Sequence, residues 1–324
     1  MRYENRMPPE GINTSDHSPL REFLRLSLSA LVVLITVAIF LNFTGSILGG
    51  LLPFKAELWI TQRVDRIMRE ADQPSPFGDP IGRRSDTDSS DTNSADGNNS
   101  VANESYDRNA KRPVDSIELY LQTLSDKVVA ALELPEPIAI TLHYSEDDVF
   151  NAYATLGGHV FLFKGLLKYL PNENALAMLM AHEFSHVEQR HPAKSVGGGL
   201  TVAVGSSLLL GAAAFENRFF SMASALTSTR FSRSMETEAD RFALTAVNSM
   251  YGHVNGADDL FELFVGFRDD GSPDVLESFF STHPLDSNRI QSIDEQARAN
   301  GWLTEGAITP LPANFSRWLE QQDR

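Results

Sequence analysis

The sequence predicts an α+β fold that is mostly helical, preceded by one helix long and apolar enough to cross a bilayer. Three observations predict it. Apolar residues recur at intervals of three and four along several segments, the period of a helix with one buried side. Short runs on either side of Gly157-Gly158 alternate in polarity, as half-buried strands do. Residues 26–54, between Arg25 and Lys55, contain no charged side chain.

About 20 apolar residues cross the hydrocarbon core, so residues 26–54 form a transmembrane anchor with length to spare. A cleaved secretory signal is the alternative, but its apolar core runs to only about 7–15 residues. Arg2, Arg6, Arg21 and Arg25 precede the span, and Lys55, Arg63, Arg66 and Arg69 follow it. The flanking charge is nearly balanced. The short basic tail, residues 1–25, favours an inside N-terminus, with the bulk of the chain on the extracytoplasmic side.

After the anchor, residues 55–72 read as an amphipathic helix with Ile60, Val64, Ile67 and Met68 on one stripe. Residues 73–112 are rich in Ser, Asp, Asn, Gly and Pro. Such a tract buries too little apolar surface to offset the entropy of ordering, so it is expected to be a disordered acidic linker. A folded domain over 113–300 and a short C-terminal tail over 301–324, ending in an exposed helix, complete the expected organisation. The net charge of −16 argues against nucleic-acid binding, which needs clustered Lys and Arg. The absence of cysteine removes disulfides, thiolate ligands and thiol nucleophiles together.

Within the folded domain, Ser116–Leu132 is expected to be helical, with Ile117, Leu121, Leu124 and Val128 as its buried side. Strands are expected over 138–143, 149–154 and 159–163. Asn172 caps a helix that starts at Glu173 and runs to about His191, where Pro192 marks its end. Further helices are expected over 234–248, 257–267 and 286–299.

The helix starting at Glu173 carries His182-Glu183-Phe184-Ser185-His186. Histidines at i and i+4 leave one face of a helix about one turn apart, so both can reach one zinc ion at about 2.0–2.1 Å. Glu183 stands beside the metal without facing it, where it can take a proton from an attacking water. Leu176, Leu179, Met180, Phe184 and Val187 give the helix a buried side, an unusual setting for two histidines and a glutamate. A catalytic zinc takes a third protein ligand and keeps an open position. Glu236 is the candidate, with Asp240 on the same face at i+4 to accept the free N–H of a ligand histidine. Glu238 points elsewhere on that helix. His191 is expected to act as a helix C-terminal cation, and His17, His143, His159 and His253 show no metal spacing.

Residues 195–215 form a second uncharged segment. A single crossing there would put His186 and Glu236 on opposite sides of the membrane. The segment is therefore expected to be a buried or membrane-surface helical hairpin.

Four stretches carry a resemblance. They are Asn151-Ala152-Tyr153 with Gly157-Gly158-His159-Val160-Phe161, the His182–His186 motif, Glu236-Thr237-Glu238-Ala239-Asp240, and His283-Pro284 with Arg289. In this order they resemble the gluzincin metallopeptidases of the HtpX and CAAX prenyl protease 1 type, nearest to the envelope and mitochondrial quality-control members. The resemblance implies a zincin-like metalloprotease domain with a small β-sheet over the motif helix. It implies one catalytic zinc held by His182, His186 and Glu236, with Glu183 as general base and acid. It also implies that the strand Gly158, His159, Val160, Phe161 is the sheet edge to which an extended polypeptide substrate adds. His283 and Arg289 are candidates for oxyanion stabilisation or substrate positioning, and His283 alternatively for capping the open zinc position. The expected activity is endopeptidase action on misfolded or misassembled proteins. A dedicated processing protease and a non-catalytic chaperone-like adaptor are the alternatives.

Overall fold

The computed structural model describes residues 19–70, Ser75, Phe77, Ile81, 116–198, 230–269, 273–283 and 289–320. Three helices form the centre: α3 (Ile117–Leu132), α5 (Glu173–Glu188) and α7 (Arg233–Tyr251). Each starts on a side chain that accepts one of the unpaired amides of a first turn. Ser116 receives Leu119 N–H, Asn172 receives Ala175 N–H and Ser232 receives Met235 N–H. α7 ends where Gly252 takes φ 76°. α5 is buried from Glu173 through Val187, so it has no solvent face on which to discard polar groups. Ala175, Ala177 and Ala181 keep it slim, and Leu121, Leu124, Val128, Leu244 and Val247 join its core cluster.

A three-stranded sheet, in the order β1-β3-β2, comprises β1 (Thr141–Ser145), β2 (Ala152–Ala154) and β3 (His159–Phe163). β1 runs parallel to β3 and β2 antiparallel to it. The expectation that Gly158, His159, Val160 and Phe161 form the sheet edge is therefore corrected: β3 is the central strand. Periodicity identifies strands but not their lateral order, and here both neighbours of β3 come from earlier in the chain. The first strand begins at Thr141, not 138, because Ile138 N–H closes a turn onto Pro135 O.

Two other boundaries move. Phe77 and Ile81, inside the expected linker, are buried: Phe77 stacks on His159 at 5.0 Å and Ile81 N–H donates to Leu142 O at 3.0 Å. Large apolar side chains at these two positions overcome the polar composition around them. The expected tail is also part of the domain. Val254 N–H donates to Leu303 O and Glu173 N–H to Thr309 O. The final helix, α11 (Phe315–Glu320), buries Phe315 and Leu319, so it is not an exposed helix.

The remaining helices are α1 (Pro19–Leu51), α2 (Phe54–Glu70), α4 (Lys164–Leu167), α6 (191–198), α8 (Asp259–Asp269), α9 (Pro273–Thr282) and α10 (Arg289–Asn300). α1 is a candidate membrane span, exposed along its apolar length. Its last turns meet α6 closely. A Cβ on Gly49 would fall on the Ala193 carbonyl, and one on Gly197 would fall on the Gly45 carbonyl. The first residues of the second apolar segment thus lie against the anchor, and the rest of it, 199–215, lies outside the described residues. α2 packs on the Leu156–Gly158 turn, where Glu57 accepts Gly157 N–H at 3.0 Å. Gly157 and Gly158 both have φ above 70°, a region open to glycine at little cost.

Candidate metal centre

α5 projects His182 and His186 from one face, with their Nε2 atoms 3.1 Å apart. α7 brings Glu236 opposite them, Oε2 at 3.5 Å from His182 Nε2 and Oε1 at 3.5 Å from His186 Nε2. His283, just after α9, closes the group with Nδ1 3.2 Å from Glu236 Oε1 and 3.4 Å from His182 Nε2. One donor atom from each of these four buried residues lies within 4.8 Å of the others. This fits a metal ion. Two imidazole nitrogens facing each other at 3.1 Å cannot both carry a proton, and with the Glu236 carboxylate they would hold one shared cation.

Behind these donors lie two different supports. His182 Nδ1 is 2.9 Å from Asp240 Oδ1. Arg289 in turn grips Asp240 with two charge-assisted bonds of 2.7 and 2.6 Å and reaches Glu236 at 3.2 Å. Its guanidinium lies 4.5 Å over the Phe261 ring. Arg289 is buried behind the carboxylates, so its contacts are those of a group that fixes Glu236 and Asp240. Burial, the largest effect, would raise the Asp240 pKa, but the charges and hydrogen bonds of Arg289 and His182 together outweigh it and hold the carboxyl below the usual range.

His186 is backed differently. Its Nδ1 is 2.8 Å from His191 Nδ1, and His191 Nε2 is 3.3 Å from Glu238 Oε2. Phe231 stacks on the His186 ring at 3.8 Å. The expectation of His191 as a helix C-terminal cation is corrected. His191 is fully buried, and burial lowers its pKa to about 4, so it is neutral at pH 7. The chain breaks at Arg190, whose φ is 60°, and His191 opens α6 instead of closing α5. Pro192 suits that first turn, where a missing amide costs nothing.

Glu183 is wholly buried, and neither oxygen has a side-chain hydrogen-bond partner among the described residues. His283 Nε2 is 3.4 Å from Oε1. Burial raises the Glu183 pKa against the opposing pull of His283 and His182, while the Ala154 amide favours the charged form. An unsatisfied buried carboxylate is costly unless it has work to do there.

A motif helix carrying two histidines, a carboxylate from a later helix, and a buried glutamate beside them have the make-up of a metallopeptidase site. The chain belongs to Peptidase family M48, whose description matches residues 116–297. It is 31% identical over 195 residues to the mitochondrial metalloendopeptidase OMA1 of Schizosaccharomyces pombe, covering 59% of this chain and 54% of that one. It is 32% identical over 192 residues to a putative beta-barrel assembly-enhancing protease of Vibrio cholerae, covering 55% and 39%. To the beta-barrel assembly-enhancing protease of Escherichia coli it is 31% identical over 178 residues, covering 48% and 33%. The chain thus spans about half or less of the length of these relatives.

The structure brings His182, Glu183, His186, Glu236, Asp240, His283 and Arg289 to one place. Sequence reasoning missed His191, Glu238 and Phe231 as the backing of His186. The available signal was the His191-Pro192 pair, since a proline there starts a new helix and turns the histidine inward.

Proposed function

We propose that the protein is a membrane-anchored, zinc-dependent endopeptidase that hydrolyses peptide bonds of misfolded or misassembled polypeptides. The observation that carries this is the buried Glu183 carboxylate, without a side-chain hydrogen bond, next to four convergent donors. The donor set, imidazoles and a carboxylate without thiolates, suits a catalytic zinc site. His182, His186 and Glu236 would hold the ion. When bound, it supplies polarisation of the scissile carbonyl and acidification of a water.

Glu183 takes the proton from the attacking water and delivers it to the leaving amine. Its burial raises its pKa, which strengthens it as a base. Asp240 orients His182 through Nδ1, and Arg289 with His182 keeps Asp240 ionised. His283 stands between Glu236 and Glu183, where it would cap the open side of the centre or stabilise the oxyanion.

Substrate adds to β2, not to β3. β2 pairs only with β3 among the described residues, whereas β1 already receives Ile81 on its Leu142 carbonyl. The Ala154 amide at the end of β2 lies beside Glu183, which supports a substrate strand running alongside the base. The names of the relatives, a metalloendopeptidase and assembly-enhancing proteases, support damaged or misassembled proteins as substrates. α1 is the anchor, and the basic tail before it supports an extracytoplasmic catalytic domain.

Unfolded casein tests the reading. Cleavage should stop with a chelator and return with zinc. Glu183→Gln should reduce turnover by about 10²–10⁴-fold while retaining one zinc per chain. Cleavage that ignores the chelator, or zinc lost together with activity, would overturn the assignment.

A further inference from the structure

α2 has two unlike faces. The buried one carries Phe54, Glu57, Thr61 and Val64. Glu57 also takes Arg190, whose guanidinium donates to the Leu52 carbonyl as well, so the α1–α2 junction is tied to the end of the motif helix. The opposite face carries Lys55, Trp59, Gln62, Arg63 and Arg66, all exposed and spaced at helical intervals. Trp59 is 66% exposed and lines a shallow depression with Gln62, Arg63 and Arg66. Lys55, Arg63 and Arg66 form no ion pair with any described residue, while Arg69 further along pairs with Asp65. In a chain of net charge −16 this is a cationic stripe with an aromatic group set into it.

We infer that this face of α2 binds the anionic phospholipid headgroups of the membrane that α1 enters. The inference rests on the reading of α1 as an anchor. Ile47, Leu48 and Leu51 are 50%, 57% and 73% exposed, so α1 stays apolar and open to its surroundings through its last turn. α2 starts three residues after Leu51 and therefore begins at headgroup depth. The domain does not hang on a long tether there, because Arg190 holds Leu52 and Gly197 lies against Gly45 and Gly49. Tryptophan favours this depth, where its ring meets acyl chains and its N–H meets water. Lys and Arg beside it gain from an anionic surface within a Debye length. The acidic stretch 86–107 also offers negative charge, but it holds few apolar side chains, Val101 and Tyr106 being the largest, against the continuous apolar surface a bilayer offers Trp59.

The natural chain has no cysteine, so Gln62→Cys creates a single site for an environment-sensitive fluorophore. The labelled full-length protein is reconstituted into phosphatidylcholine vesicles, with or without phosphatidylglycerol, containing a nitroxide-headgroup quencher. Quenching should be several-fold stronger with phosphatidylglycerol, should weaken with added salt, and should fall to the phosphatidylcholine level in Arg63→Gln/Arg66→Gln. That variant should keep its melting temperature and its casein cleavage in detergent. Equal quenching in both vesicles, or quenching unchanged by the double substitution, overturns the proposal. A label that stays unquenched in a fully inserted protein assigns the stripe to another occupant, such as the 86–107 stretch, and overturns the proposal alone. A protein extracted by alkaline carbonate overturns the anchor reading and the proposal together.

Discussion

His182 and His186 stand one turn apart on the same helix and face the same point, yet their far sides meet opposite surroundings. His182 leans on a charged pair, Asp240 gripped by Arg289, all of it buried. His186 leans on a neutral imidazole, His191, which passes the contact outward to a Glu238 side chain that is 38% exposed. An anionic partner fixes the ring tautomer and raises the basicity of the ligand nitrogen. A neutral histidine can accept or donate and pulls less. One histidine is thus fixed electrostatically, and the other is set mainly by packing against Phe231.

The sharpest way to break this comparison is Arg289→Met. It takes the guanidinium away from the buried Asp240 and Glu236 carboxylates, at a cost of about 3–5 kcal/mol in chemical denaturation. Asp240→Asn comes next. It keeps the shape but removes the charge behind His182, and should weaken zinc binding about 10–100-fold in competition with a chelating dye.

Acid gives a smaller effect on the other side. His191 titrates near pH 6.5 when unfolded and at about 4 when folded, so the unfolded state holds more protons between those values. The metal-free protein should therefore lose stability as pH falls from 6.5 to 4, by on the order of 1–2 kcal/mol. His191→Asn should flatten that slope. His182 runs the other way: its bonds to Asp240 and Glu236 outweigh burial and raise its pKa to about 10, so its contribution is lost only as pH rises through that value. Glu238→Gln should be mildest, shifting zinc affinity by less than about 1 kcal/mol because its carboxylate is partly in water. A Glu238 effect equal to that of Asp240 would erase the distinction between the two supports.

How much of this was legible follows the range of each signal. His182, Glu183 and His186 lie within one helix, and the 3.6-residue period alone puts them on a face. Glu236 and Asp240 share a face for the same reason, so their mutual placement was readable. That α7 lies against α5 was inferred from the need for a third ligand. The lateral order of the sheet was not readable, because Ala152–Ala154 and His159–Phe163 have equal claims to an edge until their pairing is known. His191 was misread because Pro192 signals the end of one helix and the start of the next equally well. Phe77 and Ile81 were lost in an acidic, Ser-rich stretch whose average composition hid two anchoring side chains.

The ion pair of Glu57 with Arg190 has a practical consequence. The residues matched to the peptidase family begin at 116, yet Phe54, Glu57, Thr61 and Val64 form one wall of the catalytic unit. A shortened protein starting at residue 113 would expose the Gly157 amide, strip the guanidinium at the end of the motif helix of its carboxylate, and bare an apolar patch over the glycine turn. The minimal working enzyme is therefore longer at its front than sequence similarity marks out.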